Sequence, residues 1–154
     1  MEGTEIYEPS DILIGYVKYF EGCSLNAYVC PAGKLTIGYG HTKGVRKGMK
    51  ITPEQAHAFL MEALQASCDY LNNLNVCKTQ GQFDALVDFC FNVGTGNLSK
   101  STLLKRIKRD EGIVAICNEF MKWIYSKGVK LDGLKKRRKW EADRWCGKAK
   151  WINF

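Results

Sequence analysis

The sequence predicts an α+β fold: a small N-terminal lobe with a β-hairpin or sheet, a larger all-helical C-terminal lobe, and a cleft between them. Three observations predict it. Apolar residues recur at helical spacing in the first twenty positions and again through most of the second half. Between Ser24 and Met49 that spacing gives way to short β-branched and aromatic pieces punctuated by glycine. Beyond Thr52 nothing reads as strand. A length of 154 residues fits one domain, with about 1–52 as the smaller lobe and about 53–154 as the helical one.

Each element has a local reason. Ser10 is placed to cap a helix whose residues Ile12, Leu13, Tyr16, Val17 and Phe20 form one stripe, with Glu21 at its end and Gly22 as a left-handed stop. Tyr28, Val29, Leu35 to Tyr39 and Val45 supply the strands. Thr52, Pro53 and Gln55 form a capping box with proline at the first helical position, and Ala56, Phe59, Leu60, Ala63 and Leu64 give that helix its buried face. Further helices are expected over Gln80 to Phe91, Lys100 to Arg109, Ile113 to Tyr125, and Gly133 to Cys146 behind an Asp132 cap. Breaks are expected at Asn72 to Lys78, Gly94 to Leu98 and Ser126 to Leu131. No internal repeat is visible.

Composition removes several classes. With 45% hydrophobic and 25% charged residues and only three prolines, the chain is neither disordered nor of low complexity. No apolar run approaches the ~18 residues of a membrane span, and Glu2, Glu5 and Glu8 give an acidic start, so a soluble chain without an export signal is expected. Seven cysteines cannot all pair, no CxxC occurs, and His41 and His57 are the only histidines. Zinc hydrolases are thereby excluded, no metal or cofactor is expected, and the thiols point to synthesis in a reducing cytosol. Of the net charge of +7, residues 1–77 contribute −2 and residues 78–154 contribute +9. The densest run, Lys127 to Lys139 with Arg137 and Arg138, reads as a surface for a polyanion or as an ordinary solvated face.

Glu21 is the first chemical candidate. At a helix C-terminus its carboxylate faces unpaired carbonyls and the negative end of the dipole, which disfavours ionisation, and Tyr19 and Phe20 add desolvation in the same direction. A carboxyl held protonated is what a general acid needs. Position alone does not separate it from an ordinary glutamate.

The surrounding text does. Tyr19-Phe20-Glu21-Gly22-Cys23 is followed by Cys30 after eight residues from Glu21, by Thr36 after five more, and by Leu35-Thr36-Ile37-Gly38-Tyr39-Gly40-His41-Thr42. This pattern resembles the phage-type lysozymes, or endolysins, of glycoside hydrolase family 24, in which a glutamate, then an aspartate or cysteine, then a threonine flank the cleft. Phe83-Asp84-Ala85-Leu86 with Phe91-Asn92-Val93-Gly94, and Gly133-Leu134 with Arg137-Arg138, Glu141 and Trp145, follow in the family's order. The resemblance covers about residues 12–145.

The resemblance implies hydrolysis of the β-1,4 bond between N-acetylmuramic acid and N-acetylglucosamine in peptidoglycan. It implies Glu21 as general acid and Cys30 with Thr36 positioning the attacking water, with inversion as the usual outcome. It also implies that Tyr39, Phe91, Asn92 and Arg137 meet the substrate and that Arg137 reaches Glu21. A thiol of ordinary pKa is a weaker base than a carboxylate, so a structural Cys30 is the competing reading, and oxidation of Cys30, with Cys23 as a nearby partner, is expected to inactivate. His41 is expected to act as a hydrogen-bonding strut of the hairpin, with Glu62 a candidate partner, and His57 as structural. The basic half then has the anionic wall as its polyanion. A holin-like partner would release the enzyme from the host cytoplasm to the wall, and a monomer is expected. Two other readings of the same residues are a lytic transglycosylase and a non-catalytic peptidoglycan-binding module.

Overall fold

The computed structural model describes residues 4–148. The chain divides into two compact units, Gly15–Ala66 and a second made of the residues up to Ile14 together with those from Ser67 onward. Helix α1 (Asp11–Glu21) and the long helix α2 (Pro53–Leu74) each have residues in both.

In the smaller unit, α1 stops where Gly22 turns left-handed at φ 67° and its N–H closes on the Lys18 carbonyl at 3.0 Å. Strands β1 (Ser24–Val29) and β2 (Leu35–Gly38) pair antiparallel, with Tyr28 opposite Thr36 and Val29 opposite Leu35. The connection is tight. Cys30 and Lys34 continue the ladder at 2.9 Å, and Gly33, at φ 81°, donates to the Cys30 carbonyl at 2.8 Å. On the other side of β1 the segment before α2 adds bonds from Ala27 to Met49 and from Ile51 to Leu25, both 2.9 Å. Ile37, Ile51 and Ala56 form the core of this unit, with Tyr39, Val45, Met49 and Phe59 packed on it. The predicted capping box is present: Thr52 N–H meets Gln55 Oε1 at 2.9 Å and Gln55 N–H meets Thr52 Oγ1 at 3.1 Å.

The larger unit is built around α3 (Gln80–Val93), started by Thr79, whose hydroxyl accepts from Gln82 N–H. All eight residues from Phe83 to Cys90 are buried, so this helix has no solvent face over two turns. Phe89 meets Phe120 and Trp123 edge-on, at 5.7 and 5.3 Å. At Gly81 a Cβ would lie 2.6 Å from the Arg144 carbonyl oxygen, so the start of α3 packs backbone to backbone against the end of α7 (Asp132–Trp145).

Four expectations are corrected. The break expected at Gly94 to Leu98 is a short helix, α4 (Thr95–Lys100), which precedes the helix expected over Lys100 to Arg109, α5 (Thr102–Lys108). Between them Ser101 is extended, and its hydroxyl accepts from Leu104 N–H at 3.0 Å. Helix α6 (Ile113–Phe120) ends five residues before Tyr125, and a hairpin of β3 (Tyr125–Ser126) and β4 (Val129–Lys130) follows. Its two central residues, Lys127 and Gly128, have φ of 50° and 79°, the pairing a tight two-residue hairpin turn requires. Leu131, not Asp132, occupies the cap position of α7, and Asp132 sits in the first turn, where it faces the positive end of the dipole.

The fourth concerns charge. Arg137 and Arg138 are buried and do not belong to the cationic surface. Arg137 forms a two-pronged pair with Asp88 at 2.8 and 2.9 Å, and Arg138 donates to both oxygens of Glu141 at 2.7 and 2.8 Å. Arg144 pairs with Asp84 at 2.7 Å, and Asp84 also accepts from the Ser10 hydroxyl at 2.5 Å. Among the described residues no helix is long and apolar enough to cross a membrane.

Candidate active site

The smaller unit holds Glu21, Cys30, Thr36 and Tyr39. Glu21 is the last residue of α1 and is half-buried. A Cβ built on Gly40 would lie 3.7 Å from Glu21 Oε2, so the turn after β2 brings bare backbone up to the carboxyl group. Gly40 itself has φ 86°.

Cys30 and Thr36 are held at the other end of the hairpin. Tyr28 opposite Thr36 and the Cys30–Lys34 ladder bond put the thiol beside the threonine, and Thr36 Oγ1 also donates to the Lys34 carbonyl at 2.9 Å. The Lys34 N–H, then the Thr36 hydroxyl, hold the thiol below its ordinary pKa, burial opposes them, and the Ala32 N–H adds to the lowering. Thr36 is 3% exposed and Cys30 half-buried, so the sulfur stays reachable while its partner is fixed. The other shifted thiols move the opposite way. Burial pushes Cys68 and Cys77 up to about 12 and Cys117 up to about 11, and raises Cys90 as well. All seven cysteines are free thiols.

Tyr39 is half-buried, with Lys18 Nζ 5.6 Å from its ring centre. Its phenol is raised by burial and by Cys23, with which it hydrogen-bonds. Nothing in the residue pattern points to this Cys23 contact. His41 works differently from the expected strut. Its backbone closes the turn onto Ile37 at 2.8 and 2.9 Å, and its ring stacks on Phe59 at 4.2 Å.

Phe91, Asn92 and Arg137 belong to the larger unit. Phe91 is half-buried at the end of α3, and Asn92 is exposed with its Oδ1 accepting from Arg138. Because Arg138 can only donate, this contact takes the amide oxygen of Asn92 as its acceptor. Arg138 and Glu141, both fully buried, stand behind Asn92, and Arg137 forms a fork with Asp88.

The smaller unit thus sets a carboxyl group against bare backbone and a lowered thiol beside a buried threonine, in the order Glu, Cys, Thr. Residues 18–141 match the model of the phage lysozyme family. The chain belongs to that family. The endolysin of Acyrthosiphon pisum secondary endosymbiont phage 1 is 42% identical over 130 residues, 81% of this chain and 88% of that protein. Among solved structures, the endolysin from Escherichia coli O157:H7 phage FAHEc1 superposes with a TM-score of 0.80 at 35% identity, covering 93% of this chain and 96% of its own. The muramidase domain of SpmX from Asticaccaulis excentricus gives 0.80 at 32% identity, over 90% and 97%. The chain is therefore a glycoside hydrolase on a lysozyme-like α+β fold.

Proposed function

We propose that the chain is a muramidase that hydrolyses the β-1,4 bond from N-acetylmuramic acid to N-acetylglucosamine in peptidoglycan, for wall lysis by a phage or prophage. The observation that carries this reading is the lowered Cys30 thiol bonded to Thr36 within the same unit as Glu21. Glu21, protonated, gives its proton to the glycosidic oxygen as the bond to C1 breaks. A water held by Cys30 and Thr36 attacks C1 from the opposite face and passes its proton to the thiolate, so the anomeric centre inverts and both side chains return by exchange with solvent. Tyr39, Phe91 and Asn92 complete the reading as substrate-side residues, and the buried Arg137, expected to meet the substrate, is a supporting residue through its pair with Asp88. The protein acts as a monomer in one domain, made in the host cytoplasm and admitted to the wall by a holin-like partner, a reading supported by seven free thiols.

The test is mass spectrometry of the soluble products from purified sacculi, with Glu21→Gln in parallel. Reducing N-acetylmuramic acid ends, absent with the variant, are expected. Anhydro ends would replace the reading with a transglycosylase, and no products from folded protein would leave a wall-binding module.

A further inference from the structure

The hairpin β3–β4 and the first turn of α7 expose three apolar side chains among lysines. Tyr125 is 59% exposed, Val129 60% and Leu131 42%. The register places Tyr125 opposite Lys130 and Ser126 opposite Val129, and the Leu131 N–H continues the ladder to the Ile124 carbonyl at 3.0 Å. Alternation along the strands therefore puts Val129 and Leu131 on one face with Ile124, which is buried at the base, and Tyr125 on the other face beside Lys130. Lys127 stands at the tip, and Lys135 and Lys136 are exposed one turn into α7. No ion pair among the described residues engages Lys127, Lys130, Lys135 or Lys136, whereas Lys122 and Lys139 have acidic partners. Asp132 is the single acid in this stretch.

Four uncommitted cations explain attraction to any polyanion, but not the exposed apolar side chains. Solvated charge keeps a surface soluble without placing a valine and a leucine outward on the same ribbon face. A hairpin that exposes apolar and aromatic side chains along its strands, with lysines at its tip, on its strands and in the following helix, matches a boundary where hydrocarbon meets anions, which is an acidic phospholipid surface.

We propose that this hairpin is a docking surface for membranes rich in anionic phospholipid, with Val129, Leu131 and Tyr125 entering the headgroup boundary and the four lysines meeting phosphates. It is independent of the hydrolytic site.

The experiment is co-sedimentation of the full chain with vesicles of phosphatidylglycerol and phosphatidylcholine, with pure phosphatidylcholine vesicles and purified anionic wall glycopolymer as further arms. Binding to the acidic vesicles is expected to weaken roughly fivefold for each lysine changed to glutamine at low salt. The triple variant Tyr125→Ser, Val129→Ser, Leu131→Ser is expected to lose most vesicle binding while keeping its thermal midpoint and its hydrolysis of soluble glycan. Folded wild-type protein that ignores acidic vesicles overturns the proposal. So does a triple serine variant that binds them as wild type does, or loss by that variant of binding to the glycopolymer alone.

Discussion

Replacing Arg138 with methionine removes the cation that donates to both oxygens of Glu141. Each side chain of this pair is 0% exposed, and Arg138 also donates to the Trp123 carbonyl at 3.1 Å and to Asn92, with its guanidinium 5.0 Å above the Phe89 ring. Methionine refills most of the volume, so the loss is electrostatic: breaking a buried ion pair costs up to about 3–5 kcal/mol where the carboxyl would be ionised, and less where it keeps a proton. For a domain of this size that lowers the melting midpoint by roughly 6–20 °C. Burial already holds the Glu141 carboxyl well above the usual range, with Arg138 pulling it down and Asp88 pushing it further up. Without Arg138 only the weaker pull of Arg137 opposes the upward influences, and the folded state keeps a proton that the unfolded chain releases above about pH 4.3. Stability of the variant therefore falls as pH rises from there, by up to about 1.4 kcal/mol per unit, and its deficit is larger at pH 8 than at pH 5. Urea unfolding of Arg138→Met, Glu141→Leu and the double variant at both pH values measures this. The double variant should recover much of the loss. A single variant that costs under about 1 kcal/mol, or a double variant that costs the sum of the two singles, would refute the reasoning.

Three other outcomes are expected. Cys30→Ser removes the ionisable group and should lower kcat about a hundredfold or more, whereas Cys30→Asp should keep activity and move the acidic limb of the pH profile to lower pH, read by turbidity loss of wall suspensions. Brief alkylation at pH 7, mapped by peptide mass spectrometry, should modify Cys30 and stop hydrolysis while Cys68 and Cys77, raised to about 12, react only after unfolding; equal labelling of all three would contradict the site. Ser101→Ala removes the cap shared by Leu98 and Leu104 and should cost about 1–2 kcal/mol in urea unfolding without changing kcat.

Local signals were legible where one short stretch of chain decides the structure. The Thr52–Gln55 box, the Gly22 stop and the strand text around Thr36 act over a few residues, and each appears where the residues point. Charge inside the larger unit was not legible, because a basic run reads as a solvated face until its partners are known. A signal existed: Asp84 and Asp88 lie four apart on a helix that is otherwise apolar, and Arg137 and Arg144 lie seven apart, so each pair shares one helix face. The break at Ser126 to Leu131 was seen, but its hairpin was not, since Lys127 in a left-handed conformation runs against preference and is carried by Gly128 beside it. Cys30 illustrates the remaining gap. Residue type gave a poor base, and only the turn that aims the Lys34 and Ala32 amides at the sulfur makes it a better one.

The backbone contact at Gly81 carries a consequence for sequence divergence. A methyl group there would meet the Arg144 carbonyl at 2.6 Å, and the same turn of α7 carries the guanidinium that reaches Asp84 at 2.7 Å. Any lineage that enlarges position 81 must first withdraw that turn, which takes from the buried Asp84 its paired cation and leaves it the hydrogen bonds from Ser10 and Gln80. Positions 81, 84 and 144 are thereby expected to drift as a linked set, and a library that randomises them singly should return glycine, aspartate and arginine, with other solutions surviving only as matched triples.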